Sequence, residues 1–340
     1  MEAAFAIGAS RRLLPSLGVF LVAGGLLLLG WVVYSFLRPG AAPYRYELID
    51  EGSAQQFASL GLPAWPDLTI GKYEVRIDGI DKPVAVTHVA RRGAAAPVML
   101  DWDNRSGEPL AFVDIDLTEV KTLAQAISKY APKDALVLGW WDTARALHLL
   151  TGSETLFDAH LGQPLIVPIA WRERDRPIEK YEREFWGAPP SDVQTGRFRR
   201  FTEALSADAA TGATMLRELA GNREAYVAVH VSDLYKLGLL HPEQVGVAWK
   251  DFPMKGDMHG PIGFVKRWMR DNTYAAYTLH QLSDGRARVY FLTNSHSGNT
   301  LLAQMLPLTT SRPAELQALQ LVYQHAGYWV YKIPPQQSGN

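Results

Sequence analysis

The sequence predicts an α/β fold: a mixed sheet with covering helices and antiparallel C-terminal strands, preceded by one transmembrane helix and a small antiparallel β region. Three observations carry this expectation. The chain is uncharged from Leu13 to Leu37, period-two alternation runs from Gly71 to Asp116, and beyond Asp116 apolar strand-like runs alternate with segments of helical period.

The first element is the apolar run. At about 1.5 Å per residue, Leu13 to Leu37 is long enough to cross a roughly 30 Å hydrocarbon core. Trp31 and Tyr34 lie near its far end, where amphipathic rings favour the headgroup level, and Arg38-Pro39-Gly40 ends the helix. The run is too long for a cleaved signal peptide, although Gly40-Ala41-Ala42 offers a peptidase pattern. Arg11 and Arg12 precede it and Arg38 and Arg45 follow, so charge alone barely sets the orientation. A short tail before a long domain favours the N-terminus inside, because long domains translocate largely regardless of charge. The expected organisation is therefore a cytoplasmic tail over 1–12, an inner-membrane anchor over 13–37, a membrane-proximal β-rich region over 38–117, a periplasmic α/β domain over 118–335 and a loose tail over 336–340.

In the β-rich region Tyr73, Val75 and Ile77 alternate with Glu74, Arg76 and Asp78, and Val98, Leu100 and Trp102 alternate with Met99, Asp101 and Asp103. Turn chemistry at Gly79 to Pro83 separates the first strand from a second around Val84 to Val89, which predicts an antiparallel meander. Asp116-Leu-Thr-Glu119 then has the spacing of a capping box, with Val120, Leu123, Ile127 and Tyr130 at helical intervals behind it. The predicted order afterwards is a strand from Ala135 to Trp140, a helix from Thr143 to Leu150, a long mixed segment and a helix around Phe201 to Leu219. A strand from Tyr226 to Val231, a short helix and a strand from Val245 to Trp249 follow. Tyr274 to Leu282 with Ala287 to Leu292, and Leu319 to Gln324 with Tyr328 to Ile333, flank turn residues and read as hairpins extending one edge of the sheet.

Composition narrows the function. Hydrophobic residues make up 47% of the chain, with ten Trp and fourteen Tyr, which argues for a folded body. A net charge of −1 with interspersed signs gives no basic face for nucleic acid. Cysteine is absent, which removes disulfides, thioether-linked haem, iron–sulfur clusters and thiolate copper sites. No cofactor of its own is expected, and redox chemistry nearby would belong to a partner.

The richest block runs from Ala135-Leu-Val-Leu-Gly-Trp-Trp-Asp to Gly152. It reads as a strand delivering two tryptophans and a carboxylate to a strand-to-helix turn, where open α/β sheets place binding groups. Asp142 in its simplest role caps the following helix, with Gly152 as the C-terminal stop. Side chains alternate along a strand, so of Trp140 and Trp141 one belongs to the core and the other lines a pocket. The functional reading makes that Trp, Asp142 and Arg145 a recognition site for a polar ligand or a peptide hydroxyl.

The nine histidines are scattered, and none stands in a local ligand spacing. Met258 and His259, in a loop beginning Asp251-Phe252-Pro253, are weak candidates for a copper ion. Trp171 to Trp186 carries Arg172, Arg174, Arg176, Lys180 and Arg183 against Glu173, Asp175, Glu179, Glu182 and Glu184. It is either a solvated face or a docking surface for a charged partner. Ser295-His296-Ser297 lacks a nucleophile elbow and reads as a helix cap, and no phosphate-binding loop follows any strand.

The Trp-Trp-Asp block resembles the corresponding region in the soluble domain of oligosaccharyltransferase catalytic subunits, with looser likeness through Tyr226 to Lys236 and Val289 to Ile333. That resemblance implies binding of an acceptor-peptide hydroxyl by the Trp-Trp-Asp side chains, on a peptide- or glycan-binding module. Thr143 and Ala144 replace the Tyr-Gly pair of that family, and a multispanning domain with its metal-binding carboxylates has no counterpart in a chain with one apolar run. The layout as a whole, one N-terminal span before a cysteine-free domain with Trp-Trp-Asp-Thr143 and Leu149-Leu-Thr-Gly-Ser-Glu-Thr-Leu-Phe-Asp158, resembles the HaoB family of hydroxylamine oxidation accessory proteins. This implies a role in nitrification chemistry beside a multihaem cytochrome-type oxidoreductase, by protein binding and without catalysis of its own. A periplasmic copper-handling protein using Met258 and His259 is the remaining alternative.

Overall fold

The uncharged run folds as a helix, α1 (Ala6–Leu37). The computed structural model describes residues 6–37, 40–106, 116–161, 167–187, 191–254, 259–282 and 285–335; side chains at 6–17, 35–37, 169–170 and 259–261 fall outside the description. Where its side chains are described, α1 exposes apolar groups, Phe20, Leu27 and Trp31 among them. Among the described residues no helix is long and apolar enough to cross a membrane. The helix expected at 13–37 is thus present, while its crossing of a bilayer is not shown.

The chain divides into two compact units, Met1–Pro43 with Val167–Glu182, and Tyr44–Ile166 with Arg183–Asn340. The second begins with β1 (Tyr44–Gly52), a strand the alternation had not marked, paired antiparallel to β2 (Leu68–Ile77) with a bulge between Leu48 and Asp50. β2 pairs with β3 (Ala85–Arg92), to which the short β4 (Val98–Met99) and β5 (Asp103–Asn104) attach, all antiparallel. This is the predicted meander, and Gly79 supplies the left-handed turn (φ 82°) after β2.

Asp116 caps α2 (Leu117–Tyr130) by accepting from the Thr118 and Glu119 amides, and α2 buries Leu117, Val120, Leu123 and Ile127 but leaves Tyr130 exposed. β6 (Leu136–Gly139) leads into α3 (Trp141–Thr151), which ends on Gly152 in the left-handed region as predicted. β7 (Glu154–Thr155) follows, then a 3-10 turn (Ile169–Arg174) running into α4 (Asp175–Trp186). The single helix expected around Phe201 to Leu219 is two, α5 (Asp192–Ser206) and α6 (Ala209–Ala220). The break comes from Asp208, whose carboxylate accepts from the Ala210 and Thr211 amides and so starts a new helix.

β8 (Ala225–His230), α7 (Asp233–Leu240), β9 (Val247–Pro253), α8 (His259–Asp271), β10 (Ala276–Gln281), β11 (Arg286–Leu292), α9 (Leu301–Met305), β12 (Gln320–His325) and β13 (Tyr328–Ile333) complete the chain. The central sheet has the order β12-β13-β8-β6-β7, with β6 parallel to both β8 and β7 and β13 antiparallel to β8. All four residues of β6 are buried, as expected for a parallel strand covered on both faces. The C-terminal hairpin extends one edge as predicted, and β12 carries a register shift between Leu321 and Tyr323. The other hairpin does not extend that sheet. β10 and β11 join β9 in a separate antiparallel sheet of order β10-β11-β9, around Phe252, Tyr277, Val289 and Phe291.

Candidate functional site

β6 stops one residue earlier than its apolar pattern suggests, and this sets the geometry of the turn. A Cβ on Gly139 would lie 3.1 Å from the Ala228 carbonyl oxygen, so glycine there lets β6 lie tightly against β8. Trp140 takes the N-cap position without a side-chain hydrogen bond, and the helix begins at Trp141. Asp142 therefore sits inside the first turn and is not the cap that the sequence suggested. Its Oδ1 accepts from the Thr143 amide at 2.7 Å, and its Oδ2 accepts from Lys236 Nζ at 2.9 Å. Lys236 and Asp233, one turn apart on α7, form a second ion pair at 3.1 Å.

All three charged groups are buried. Burial disfavours the Lys236 ammonium, but Asp142 and Asp233 outweigh it and raise the lysine pKa above its ordinary value. The Trp140 ring lies 5.5 Å from Lys236 Nζ, within cation–π range. Tyr328 is buried beside this triad; burial and the surrounding carboxylates push its phenol well up, against a hydrogen bond with Thr143.

Trp140 and Trp141 are both buried, so neither is the exposed wall of a pocket that strand alternation implied. The alternation does not reach them, because Trp141 is already helical. Trp140 meets Phe198 of α5 edge-on at 5.4 Å, and Trp141 lies 4.3 Å from the His160 ring. His160 in turn stacks on Trp186 at 5.1 Å. Burial and the nearby Arg145 guanidinium push the His160 pKa down to about 2, leaving the imidazole neutral. Arg145 is likewise buried and donates from Nη2 to the Pro97 carbonyl at 2.6 Å. Burial lowers its pKa to about 10, with Asp158 and Asp142 working in the opposite direction. A ligand taking Asp142 would have to displace Lys236.

A second cluster adjoins the first. His230 closes β8, with its amide donating to Asp233 Oδ2 at 2.8 Å and its Nδ1 2.7 Å from Ser232 Oγ. His280 comes from β10 and Glu119 from the first turn of α2. Glu119 Oε2 lies 3.6 Å from His230 Nε2, and Oε1 lies 3.6 Å from His280 Nε2. The two imidazole rings meet edge-on at 4.9 Å. At 3.6 Å neither contact with the carboxylate is a hydrogen bond, and the attraction is electrostatic. Burial raises the Glu119 pKa, but His230, His280 and the Gly327 amide outweigh it and hold it below the usual carboxylate range. Glu119 was expected to reach back in a capping box; its carboxylate turns instead to the two imidazoles.

These three residues are the functional candidates that sequence reasoning missed. They come from three elements far apart in the chain, so no spacing marks them. Met258 lies outside the described residues, and so does the side chain of His259, whose backbone opens α8. Ser297, buried, accepts from the Gly246 amide and faces Asn294 Oδ1 and the Gln244 carbonyl, in keeping with a structural role. The charged segment keeps Arg172, Glu173, Arg174, Asp175, Arg176, Glu179 and Lys180 exposed, while Ile178 and Glu182 are buried.

A family model described as "HaoA-associated protein HaoB" matches residues 10–333. No curated protein matches the chain. Among solved structures, the C-terminal domain of C. jejuni PglB aligns at 14% identity over 63% of this chain and 99% of that one, with a TM-score of 0.35.

Proposed function

Because the chain belongs to the HaoB family of HaoA-associated proteins, we propose that it is a membrane-anchored accessory protein of hydroxylamine oxidation. In this reading it docks or assists the oxidoreductase HaoA and has no catalysis of its own. The observation that carries the reading is the extent of the family match, which begins at residue 10 and so takes in the apolar helix as well as the α/β body. Two features support the details. The helix α1 exposes Val19, Phe20, Leu27, Leu28 and Trp31, side chains that a hydrocarbon environment would accept. The cysteine-free sequence has no thiol with which to attach a c-type haem, so in this reading any such haem is the partner's.

In this reading the α/β body lies in the periplasm, because a long domain after an apolar helix translocates largely regardless of its charge. The exposed mixed charges of Arg172 to Lys180 provide the docking surface, since such a pattern gives steering and register more than raw affinity. Detergent-solubilised membranes offer the test. An affinity-tagged chain should recover a multihaem oxidoreductase, at a yield that falls with added salt, and deletion of 13–37 should release the protein from the membrane. Recovery of no haem protein would overturn the docking role, and a deletion variant that stays with the membrane would overturn the anchor.

A further inference from the structure

We infer that Glu119, His230 and His280 form a binding site for a divalent first-row transition ion, with zinc the best fit. This inference does not depend on the docking role. One donor atom from each residue lies within 4.8 Å of the others, and each Glu119 oxygen has its own imidazole at 3.6 Å, Oε2 facing His230 Nε2 and Oε1 facing His280 Nε2. That is too long for hydrogen bonding and close to the edge of a ligand set sharing one centre. Donors about 2.0–2.2 Å from a zinc ion in tetrahedral arrangement sit about 3.3–3.6 Å apart. Two imidazoles and a carboxylate, with no thiolate, suit zinc and its first-row neighbours. Both carboxylate oxygens face the imidazoles, so Glu119 can bind through one or both.

The surroundings are those of a built site. Gly327 stands where any Cβ would lie 2.0 Å from His230 Nε2, so only glycine lets this imidazole occupy its place. The backbone there is not in the left-handed region, so the glycine is needed for space and not for conformation. The Gly327 amide also holds the Glu119 carboxylate. Ser232 Oγ, 2.7 Å from His230 Nδ1, is the outer partner that fixes the ring with Nε2 turned to the ion. The Ser232 amide, 3.2 Å from the same Nδ1, serves the tautomer adopted without metal. His230 and His280 are buried while Glu119 is only partly so, which leaves the carboxylate side as the entry path.

The test uses the full chain in detergent, stripped with chelator and titrated with zinc and with cobalt(II). One equivalent of zinc should bind and raise the melting temperature, and cobalt(II) should give the visible absorption of a low-coordinate site. Glu119→Gln and His280→Gln should each weaken zinc binding by more than the roughly 10–100-fold that loss of an outer partner brings, and Ser232→Ala should fall within that range. Gly327→Ala should abolish the cobalt spectrum by pushing His230 aside; melting measured without metal separates this from misfolding. Absence of stoichiometric binding by the unaltered chain, or binding that survives Glu119→Gln and His280→Gln, overturns the site.

Discussion

The Asp142–Lys236–Asp233 triad and the Glu119–His230–His280 cluster are neighbours, joined through the His230 amide on Asp233, yet their chemistry is arranged in opposite ways. In the triad each charge has an intramolecular partner at 2.9–3.1 Å, and the Trp140 ring lies within cation–π range of Lys236. In the cluster the two Glu119 oxygens stand 3.6 Å from the imidazole nitrogens they face, and the donor set spans up to 4.8 Å. The triad is the part the sequence advertises, with its doubled tryptophan and acid; the cluster has no local signature at all. Conspicuous residues here are saturated by packing, and the groups still able to take an ion are spread over a helix and two different sheets.

The strongest way to break this contrast is at Lys236. Lys236→Met leaves two carboxylates buried without their cation and should destabilise the fold by about 3–5 kcal/mol, read by denaturant unfolding. A loss under about 1 kcal/mol would mean that the triad is hydrated and open, and so available to a ligand after all. The same variant should leave zinc stoichiometry unchanged.

A pH series sharpens the picture on the Trp141 side. His160 is neutral in the folded protein, with its pKa pushed down to about 2 from the ordinary 6.5. The unfolded chain takes up a proton below about pH 6.5 and the folded one does not. The stability from this group is therefore complete above that pH and declines by about 1.4 kcal/mol per unit as pH falls towards the folded value. His160→Phe, which keeps the ring between the two indoles, should remove that slope from unfolding curves recorded between about pH 4 and 7. An unchanged slope would place the imidazole in contact with solvent.

The smallest effect is at the start of α2. Asp116→Ala removes the acceptor for the Thr118 and Glu119 amides and should cost about 1 kcal/mol. Because Glu119 rides on that turn, zinc affinity should fall more than thermal stability does. Equal loss of both would make the cap purely structural.

Much of the fold was legible because local rules coincide with tertiary ones. The Gly152 stop, the Asp116 cap, the buried run of β6 and both hairpins each follow from a few adjacent residues. β1 escaped because its alternation of Tyr44, Tyr46 and Leu48 with Arg45 and Glu47 is short and breaks at the Leu48–Asp50 bulge, and pairing with β2 carries the strand on to Gly52. β9 was read into the central sheet, but it pairs with β11, a partner that no local pattern names. The end of β6 at Gly139 was misplaced by a single residue. That shift put Asp142 inside the helix and both tryptophans under cover, since one residue at a strand end decides which way every later side chain points. The cluster was illegible in principle: its residues meet through sheet order, and sheet order is not encoded in spacing.

The offset in β12 has a bearing on how the molecule keeps to itself. β12 is the outermost strand on one side of the central sheet, and Val322, 44% exposed, is the residue left over between the paired Leu321 and Tyr323. A surplus residue of this kind bends the rim and spoils its ladder of free amides and carbonyls as a template for another chain. On the opposite side β7 offers only two residues, too short to recruit anything. Removing Val322 would straighten the rim, and a purified protein so altered is expected to polymerise edge to edge on concentration where the parent stays dispersed.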